Sequence, residues 1–225
     1  MENNEAQTCR YTDESIKSKY VAKLLHPFKT SGFQHIRMDD IAKYMDLSKA
    51  TLYKYFPSRD EIIERLSEIF ITYVIKAEEQ LPEGSQMYMQ GFQSSFAQSL
   101  IIANYGTEAF YQDMREVYPE LMSRIDIAVS QRNERLQQFY ERGMEEGSFN
   151  RLNATLLILQ DDLMFRNLLD PVYLMKNNLT LRNAIHDYYQ IKKLLLFSPA
   201  LYASTDDVKM LEKIEYLVRK VSYGA

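Results

Sequence analysis

Disulfide scaffolds are excluded first, because this 225-residue chain contains a single cysteine, Cys9. One thiol has no partner within the chain, which points to a reducing, cytoplasmic setting. Glycine and proline are scarce at seven and six residues, and so few turn formers predict long, uninterrupted elements. No apolar run approaches the roughly 18 residues that a membrane span requires, and no basic-then-apolar leader opens the chain. The sequence therefore predicts neither membrane insertion nor secretion. His26, His35 and His186 lie far apart and have no cysteine at metal-ligand spacing, so no metal site is predicted. There is also no glycine-rich phosphate loop and no nucleophile elbow. Nothing in the chain points to a cofactor or to an enzyme.

Apolar side chains are plentiful. A hydrophobic content of 46%, with 12% aromatics, is ample for a buried core and excludes disorder as the general state. Helix formers dominate, and β-branched runs bounded by turn signals are missing, so the predicted class is all-α. The net charge of −4 at first argues against a nucleic-acid partner. Its distribution reverses that: residues 1–66 carry 11 basic and 10 acidic side chains, whereas residues 67–225 carry 16 and 21. Between Leu47 and Arg59 there are three bases and no acid. A local basic face on an acidic body confines phosphate affinity to one place.

The chain reads as a polar, flexible tail over residues 1–12, a small helical head over 13–66, a connection over 67–84 and a helical body over 85–225. The first helix is expected over 13–31, capped by Thr12 or Asp13, stopped by Gly32, and kinked near Leu24 by Pro27. Two short helices follow, over about 38–45 and 48–55, and a fourth begins after Ser58, which forms a capping box with Glu61 and continues to about residue 80. An internal boundary is expected at 81–85. In the body, periodic apolar stretches cover about 86–105, 107–117, 119–146, 154–170, 179–197 and 205–223. Asn153, Thr180 and Thr205 are expected to cap three of them, and Gly147 to end another.

The spacing of the two short helices is that of a helix-turn-helix, in which the first helix braces the second and the second enters the major groove. Ile41, Ala42 and Met45 are expected to pack on Leu47, Leu52 and Phe56. Ser48 caps the second helix; Lys49 and Lys54 suit phosphates, and Tyr53 offers an uncharged hydroxyl. Ala50 and Thr51 are small enough to admit a base edge, and Thr51 brings a hydroxyl and a methyl. Tyr55 reads as a packing residue.

Gly32-Phe33, Asp40-Ile41-Ala42, the run from Leu47 to Tyr53 and the run from Tyr55 to Asp60 resemble the amino-terminal domain of TetR-family transcriptional regulators. The resemblance covers about residues 13–66. It implies a homodimeric, ligand-responsive repressor of double-stranded operator DNA, with a helix-turn-helix head followed by a larger ligand-binding and dimerisation domain. The family's DNA-contacting positions fall on Arg37, Ser48, Lys49, Ala50, Thr51, Tyr53, Lys54 and Arg59. The match departs from the family at four places: Asp46 stands where a turn glycine is usual, Ile36 and Arg37 replace hydroxyl residues before the bracing helix, Arg59 replaces a lysine, and Pro27 is unusual in the first helix.

A single head touches too little DNA, so a two-fold dimer with heads about 34 Å apart is expected. The apolar arcs over 154–170 and 179–197 nominate Leu156, Leu163, Leu181, Ile185, Tyr188 and Leu195 for its interface. A methionine- and tyrosine-rich stretch over 87–122 nominates Phe92, Phe96, Tyr111, Met114 and Tyr118 for a hydrophobic effector, although such stripes form core more often than pocket. Asp161 is nominated to face a cationic ligand, while Asp162 is expected to pair with Arg166. Two other functions remain open on sequence: a ligand-independent DNA-binding protein, and a helical small-molecule-binding or adaptor module whose head has lost DNA contact.

Overall fold

The computed structural model describes residues 11–75 and 85–223. Cys9, most of the expected tail, residues 81–84 of the expected boundary and any extension of the fourth helix past residue 75 lie outside the described residues. Within them are thirteen helices: α1 Glu14–Ala22, α2 Leu25–Ser31, α3 Met38–Tyr44, α4 Lys49–Tyr55, α5 Arg59–Ile75, α6 Ser85–Tyr105, α7 Glu108–Val117, α8 Pro119–Glu145, α9 Ala154–Leu168, α10 Pro171–Lys176, α11 Leu181–Leu196, α12 Pro199–Ala203 and α13 Val208–Tyr223. Apart from one isolated antiparallel bridge, Phe149 with Phe197, the described chain is all-α.

Local signals fix most of the helix ends. Asp13 caps α1 by accepting from the amides of Ser15 (2.8 Å) and Ile16 (3.3 Å). The break between α1 and α2 follows from Pro27, which has no amide to give the carbonyl four residues back; in α2 it falls within the first turn, where that loss is harmless. Ser58 accepts from the Glu61 amide at 3.2 Å, Asn153 caps α9 and Thr180 caps α11. Gly147 ends α8 with φ +74°. Thr205 does not cap α13: its hydroxyl donates to the Tyr202 carbonyl, and the Asp206 carboxylate accepts from the Val208 amide at 3.0 Å instead. Two short helices are not legible as elements in the sequence, α10 and α12, each opened by a proline behind a side-chain cap, Asp170 and Ser198.

The chain divides into two compact units, Met1–Thr72 with Tyr105–Ile127, and Tyr73–Asn104 with Ala128–Ala225. The division differs from a simple head and body, because α7 and the start of α8 cluster with the head. In the first unit Phe28, Phe33, Ile41, Met45, Leu52, Phe56, Leu66, Phe70 and Met114 are essentially inaccessible. In the second, Phe92, Phe96, Phe165, Tyr188 and Tyr189 form a ring cluster, with Phe96 centred 5.0 Å from Phe165 and 5.3 Å from Tyr189. Asp207 ties α13 to α11 by accepting from the Tyr189 hydroxyl (2.7 Å) and Lys193 (2.5 Å).

Asp46 occupies the left-handed region at φ 56°, where a side chain with a Cβ costs roughly 1–2 kcal/mol. Part of this is offset by Lys23, whose ammonium reaches the Asp46 carboxylate at 2.7 Å and the Met45 carbonyl at 3.3 Å, at the carboxyl end of α3. Asp46→Gly should exchange one gain for the other and stay within about 0.5 kcal/mol of the parent, whereas Asp46→Val should lose both and cost about 1–2 kcal/mol. Urea denaturation of the three proteins measures the difference.

Candidate DNA-binding head and regulatory body

The recognition helix α4 is built as its sequence dictates. The Ser48 hydroxyl oxygen accepts from the Thr51 amide at 3.1 Å, and the two hydroxyls lie 2.8 Å apart. Leu52, Tyr55 and Phe56 are buried, as are Ile41, Ala42 and Met45 of the bracing helix and its turn, and Leu47 is half-buried. With that face turned inward, Ser48, Lys49, Ala50, Tyr53 and Lys54 are all exposed and Thr51 is partly so. The exposed set is the one nominated for DNA.

Two of the cations have partners that sequence spacing does not reveal. Lys49 pairs with Asp39 of α3 at 2.7 Å; this contact holds the Asp39 carboxyl below its ordinary range and raises the Lys49 ammonium. Lys54 lies 5.4 Å from the centre of the Tyr11 ring, which itself packs edge-on against Tyr55 at 4.8 Å. Tyr11 is therefore part of the head and not of a free tail.

Arg37 is exposed, and its amide donates to the Asp40 carboxylate at 3.3 Å, the half of a capping box that an acid at the third position of α3 supplies without a hydroxyl at the cap. Arg59 differs from the other nominated contacts. Its guanidinium is turned onto the carbonyls of Phe33 and, at 3.2 Å, Gln34. The same two residues give their amides to the Asp113 carboxylate of α7, Phe33 closely and Gln34 at 2.9 Å. Gly32 precedes them at φ +65°, and a Cβ there would collide with that carboxylate. Both the backbone and the space demand glycine at this position.

The residues nominated for an effector fall in both units. Tyr111, Met114 and Tyr118 belong to the first. Met114 is fully buried, Tyr111 sits 6.2 Å from Phe70, and the Tyr118 hydroxyl donates to Asp60 at 2.6 Å. Burial first and that bond second push the Tyr118 hydroxyl up to about 12. Tyr118 thus holds α5 and is engaged within the head. Phe92, Phe96 and Asp161 belong to the second unit, all buried. Asp161 is not available to a cationic ligand, because Lys192 and the Tyr188 hydroxyl already occupy it. Asp162 does pair with Arg166, at 3.0 Å.

Of the interface nominees, Leu156, Leu163 and Leu195 are exposed, at 60%, 53% and 47%, and Leu181 is half-buried. Ile185 and Tyr188 are corrected: at 0% and 3% exposure they point into their own core and present nothing to a second copy. The wide apolar arc misleads because it serves two surfaces. The outward side of α11 is carried instead by Ile191, Leu194 and Leu195, and that of α9 also by Leu159. No helix among the described residues is long and apolar enough to cross a membrane, and no group of metal-ligating side chains occurs among them.

A capped, acid-free helix projecting from a braced head, on an otherwise helical chain, defines a DNA-binding regulator of the helix-turn-helix class. Residues 25–66 match the family described as bacterial regulatory proteins, tetR family. Among solved structures the chain is similar to the ketosteroid transcriptional regulator KstR2 of Mycobacterium tuberculosis, with 18% identity, 83% of this chain and 97% of that one covered, and a TM-score of 0.55. It is also similar to the TetR-family regulator PfmR from Thermus thermophilus, at 18% identity, 79% and 94% coverage and a TM-score of 0.53. A third likeness is to AibR, in complex with isovaleryl coenzyme A and operator DNA, at 10% identity, 78% and 97% coverage and a TM-score of 0.50. No curated protein matches the sequence at a significant level. Residues 25–66 thus carry the amino-terminal domain described for the tetR family of bacterial regulatory proteins, and the solved structures share the fold of the longer chain.

The Asp39–Lys49 pair sets a competition between carboxylate and phosphate. Asp39→Asn should raise affinity for random-sequence duplex about three- to tenfold and steepen its salt dependence by up to about one unit of log–log slope. Lys49→Ala should then cost more in the Asp39→Asn background than in the parent. Fluorescence anisotropy over a salt series measures both, and identical slopes in all four proteins would show the pair to be irrelevant.

Proposed function

We propose that this protein is a homodimeric, cytoplasmic repressor. Two heads grip a palindromic operator, and a small, largely hydrophobic ligand entering the body releases it. The observation that carries the DNA half is the exposed run Ser48, Lys49, Ala50, Tyr53 and Lys54 on a capped helix without a single acid. Arg37 adds a cation beside it; Lys49, Lys54 and Arg37 serve phosphates, and Ala50, Thr51 and Tyr53 lie where a base edge or its phosphate is reached. Arg59 contributes indirectly in this reading, by holding the loop that leads into α3.

Pairing is supported by exposed leucines at helical spacing. Leu156, Leu159 and Leu163 share one side of α9, and Ile191, Leu194 and Leu195 share one side of α11. Both helices belong to the second unit. A shallow apolar groove runs beside Leu156, Leu163, Met164 and Tyr173. Exposed apolar surface on this scale marks an interaction site, and a two-fold operator calls for a second copy.

Release by a ligand is supported by AibR, whose solved complex holds both a small molecule and operator DNA on a similar fold. A ligand that prefers one arrangement of the dimer over the other lowers operator affinity by that difference.

The test is binding of the full chain to palindromic DNA from upstream of its own gene. Affinity in the nanomolar range is expected, at least about 10³-fold above random duplex. Lys49→Ala with Tyr53→Phe should weaken it by about 1–3 kcal/mol, and binding that ignores this pair would remove α4 from the DNA contact. Leu163→Asp should convert dimer to monomer in sedimentation and abolish tight operator binding; an unchanged mass would move the interface elsewhere.

A further inference from the structure

The second unit buries an ionic cluster for which DNA binding has no use. Ser95, Gln98 and Ser99 reach it from α6, Arg132 and Tyr140 from α8, Asp161 from α9, and Tyr188 and Lys192 from α11. Asp161 is fully engaged. One carboxylate oxygen pairs with Lys192 and accepts from the Tyr188 hydroxyl at 2.7 Å, and the other accepts from Ser99 at 3.4 Å. Lys192 donates further to the Leu157 carbonyl at 3.1 Å.

Arg132 has no such counterion. Its guanidinium donates to Gln98 Oε1 (3.0 Å), Ser99 Oγ (2.6 Å), the Ser95 carbonyl (3.4 Å) and Asn133 Oδ1 (3.0 Å), all neutral. Only 8% of Arg132 is exposed, and no carboxylate among the described residues pairs with it. The neighbouring buried pair, Lys193 with Asp207, is already balanced. Beside Lys192, whose ammonium lies 5.6 Å from its ring centre, the fully buried Tyr140 keeps a hydroxyl that makes no hydrogen bond of good geometry. The cluster therefore holds two cations, one carboxylate that pairs with Lys192 and reaches Arg132 through Ser99, and a phenol set against Lys192 and Ser95. A cation in a low-dielectric interior without an opposite charge is costly, and neutral acceptors offset only part of that cost.

We infer that this cluster is the headgroup site of the effector, and that the effector is an amphipathic anion with one carboxylate on a slender apolar body. The inference rests on the ligand-released reading above. The carboxylate supplies the negative charge that Arg132 lacks and accepts from the Tyr140 hydroxyl. The apolar part would lie toward Phe92, Phe96 and Phe165, whose rings pack in contact with one another, so that a slender alkyl chain displaces fewer of those contacts than a fused ring system. This reverses the ligand charge that Asp161 suggests when read from sequence alone.

Isothermal titration calorimetry of the full chain tests it with decanoate, decanol and decyltrimethylammonium, each below its aggregation threshold. Decanoate should bind at least about tenfold more tightly than decanol, and the cation should not bind measurably. Arg132→Gln should abolish the preference for decanoate over decanol, and Arg132→Lys should retain most of it. Should Arg132→Gln fail to fold by circular dichroism, Tyr140→Phe carries the comparison: it should weaken decanoate about threefold and leave decanol unchanged. Equal affinity for the three probes, preference for the cation, no binding at all, or a decanoate preference undiminished by Arg132→Gln (or, where that variant fails to fold, by Tyr140→Phe) would overturn the proposal. Operator anisotropy in the same samples separates the two readings. Decanoate binding without DNA release keeps the anion site and defeats its role as effector site, whereas release by a ligand that decanoate cannot displace keeps the regulator and defeats this site.

Discussion

The bracing and recognition helices hang from the short turn at Gly32, Phe33 and Gln34, and that turn is held from both sides. Asp113 takes the amides of Phe33 and Gln34, and Arg59 takes their carbonyls. Peptide groups satisfied in both directions by charged side chains have little freedom to rotate, because charge-assisted bonds are stronger than neutral ones and directional. The turn's own conformation depends on glycine at 32, so the clamp and the backbone specify each other. Thr107 adds a further tie by donating to the Lys29 carbonyl at 2.9 Å. The position of α3, and with it α4, is thus set as much by α7 as by the amino-terminal helices themselves.

That dependence gives a physical reason for the division of the chain. Residues 105–127 cluster with the amino-terminal unit because their polar side chains serve it: Thr107, Asp113, Tyr118 and, through Glu64 and Glu68, Arg124. Three helices, α5, α6 and α8, carry residues of both units, and α8 is the one that also carries Arg132 and Tyr140. In the ligand-released reading a switch needs an element that both sites bias.

Local chemistry is legible in the sequence, and tertiary chemistry is not. The caps at Asp13, Ser48, Asn153 and Thr180 follow from side chains that satisfy amides within four residues, and the core of the helix-turn-helix follows from periodicity. Tyr55, expected to pack, is 2% exposed. What the pattern does not tell is which of two faces an apolar arc serves. Ile185 and Tyr188 sit on the same helix as Leu195, Tyr188 only two turns earlier, yet they are buried and Leu195 is exposed. Partners distant in sequence are equally hidden: Asp39 for Lys49 arises from the turn angle of the helix pair, and Asp113 for the 32–34 loop spans some eighty residues. Asp46 reads as a flaw in the turn, and it is moderated by Lys23, a contact that only the packing of α1 against α3 creates.

Charge as a guide to ligands divides along the same line. Many exposed charges among the described residues lie in pairs that water and salt weaken, and Lys49 with Asp39 is one of them. Such a pair can be opened by a phosphate, since breaking it exposes neither partner to an apolar medium. Buried charges obey a stricter rule, because an unbalanced one has no solvent to fall back on. A count of acids and bases assigns the body an acidic excess, but the interior around Arg132 is positive by one charge among the described residues. A net count therefore predicts what the surface repels, while in the proposal above the sign of a buried ligand follows from Arg132, which no carboxylate among the described residues pairs with.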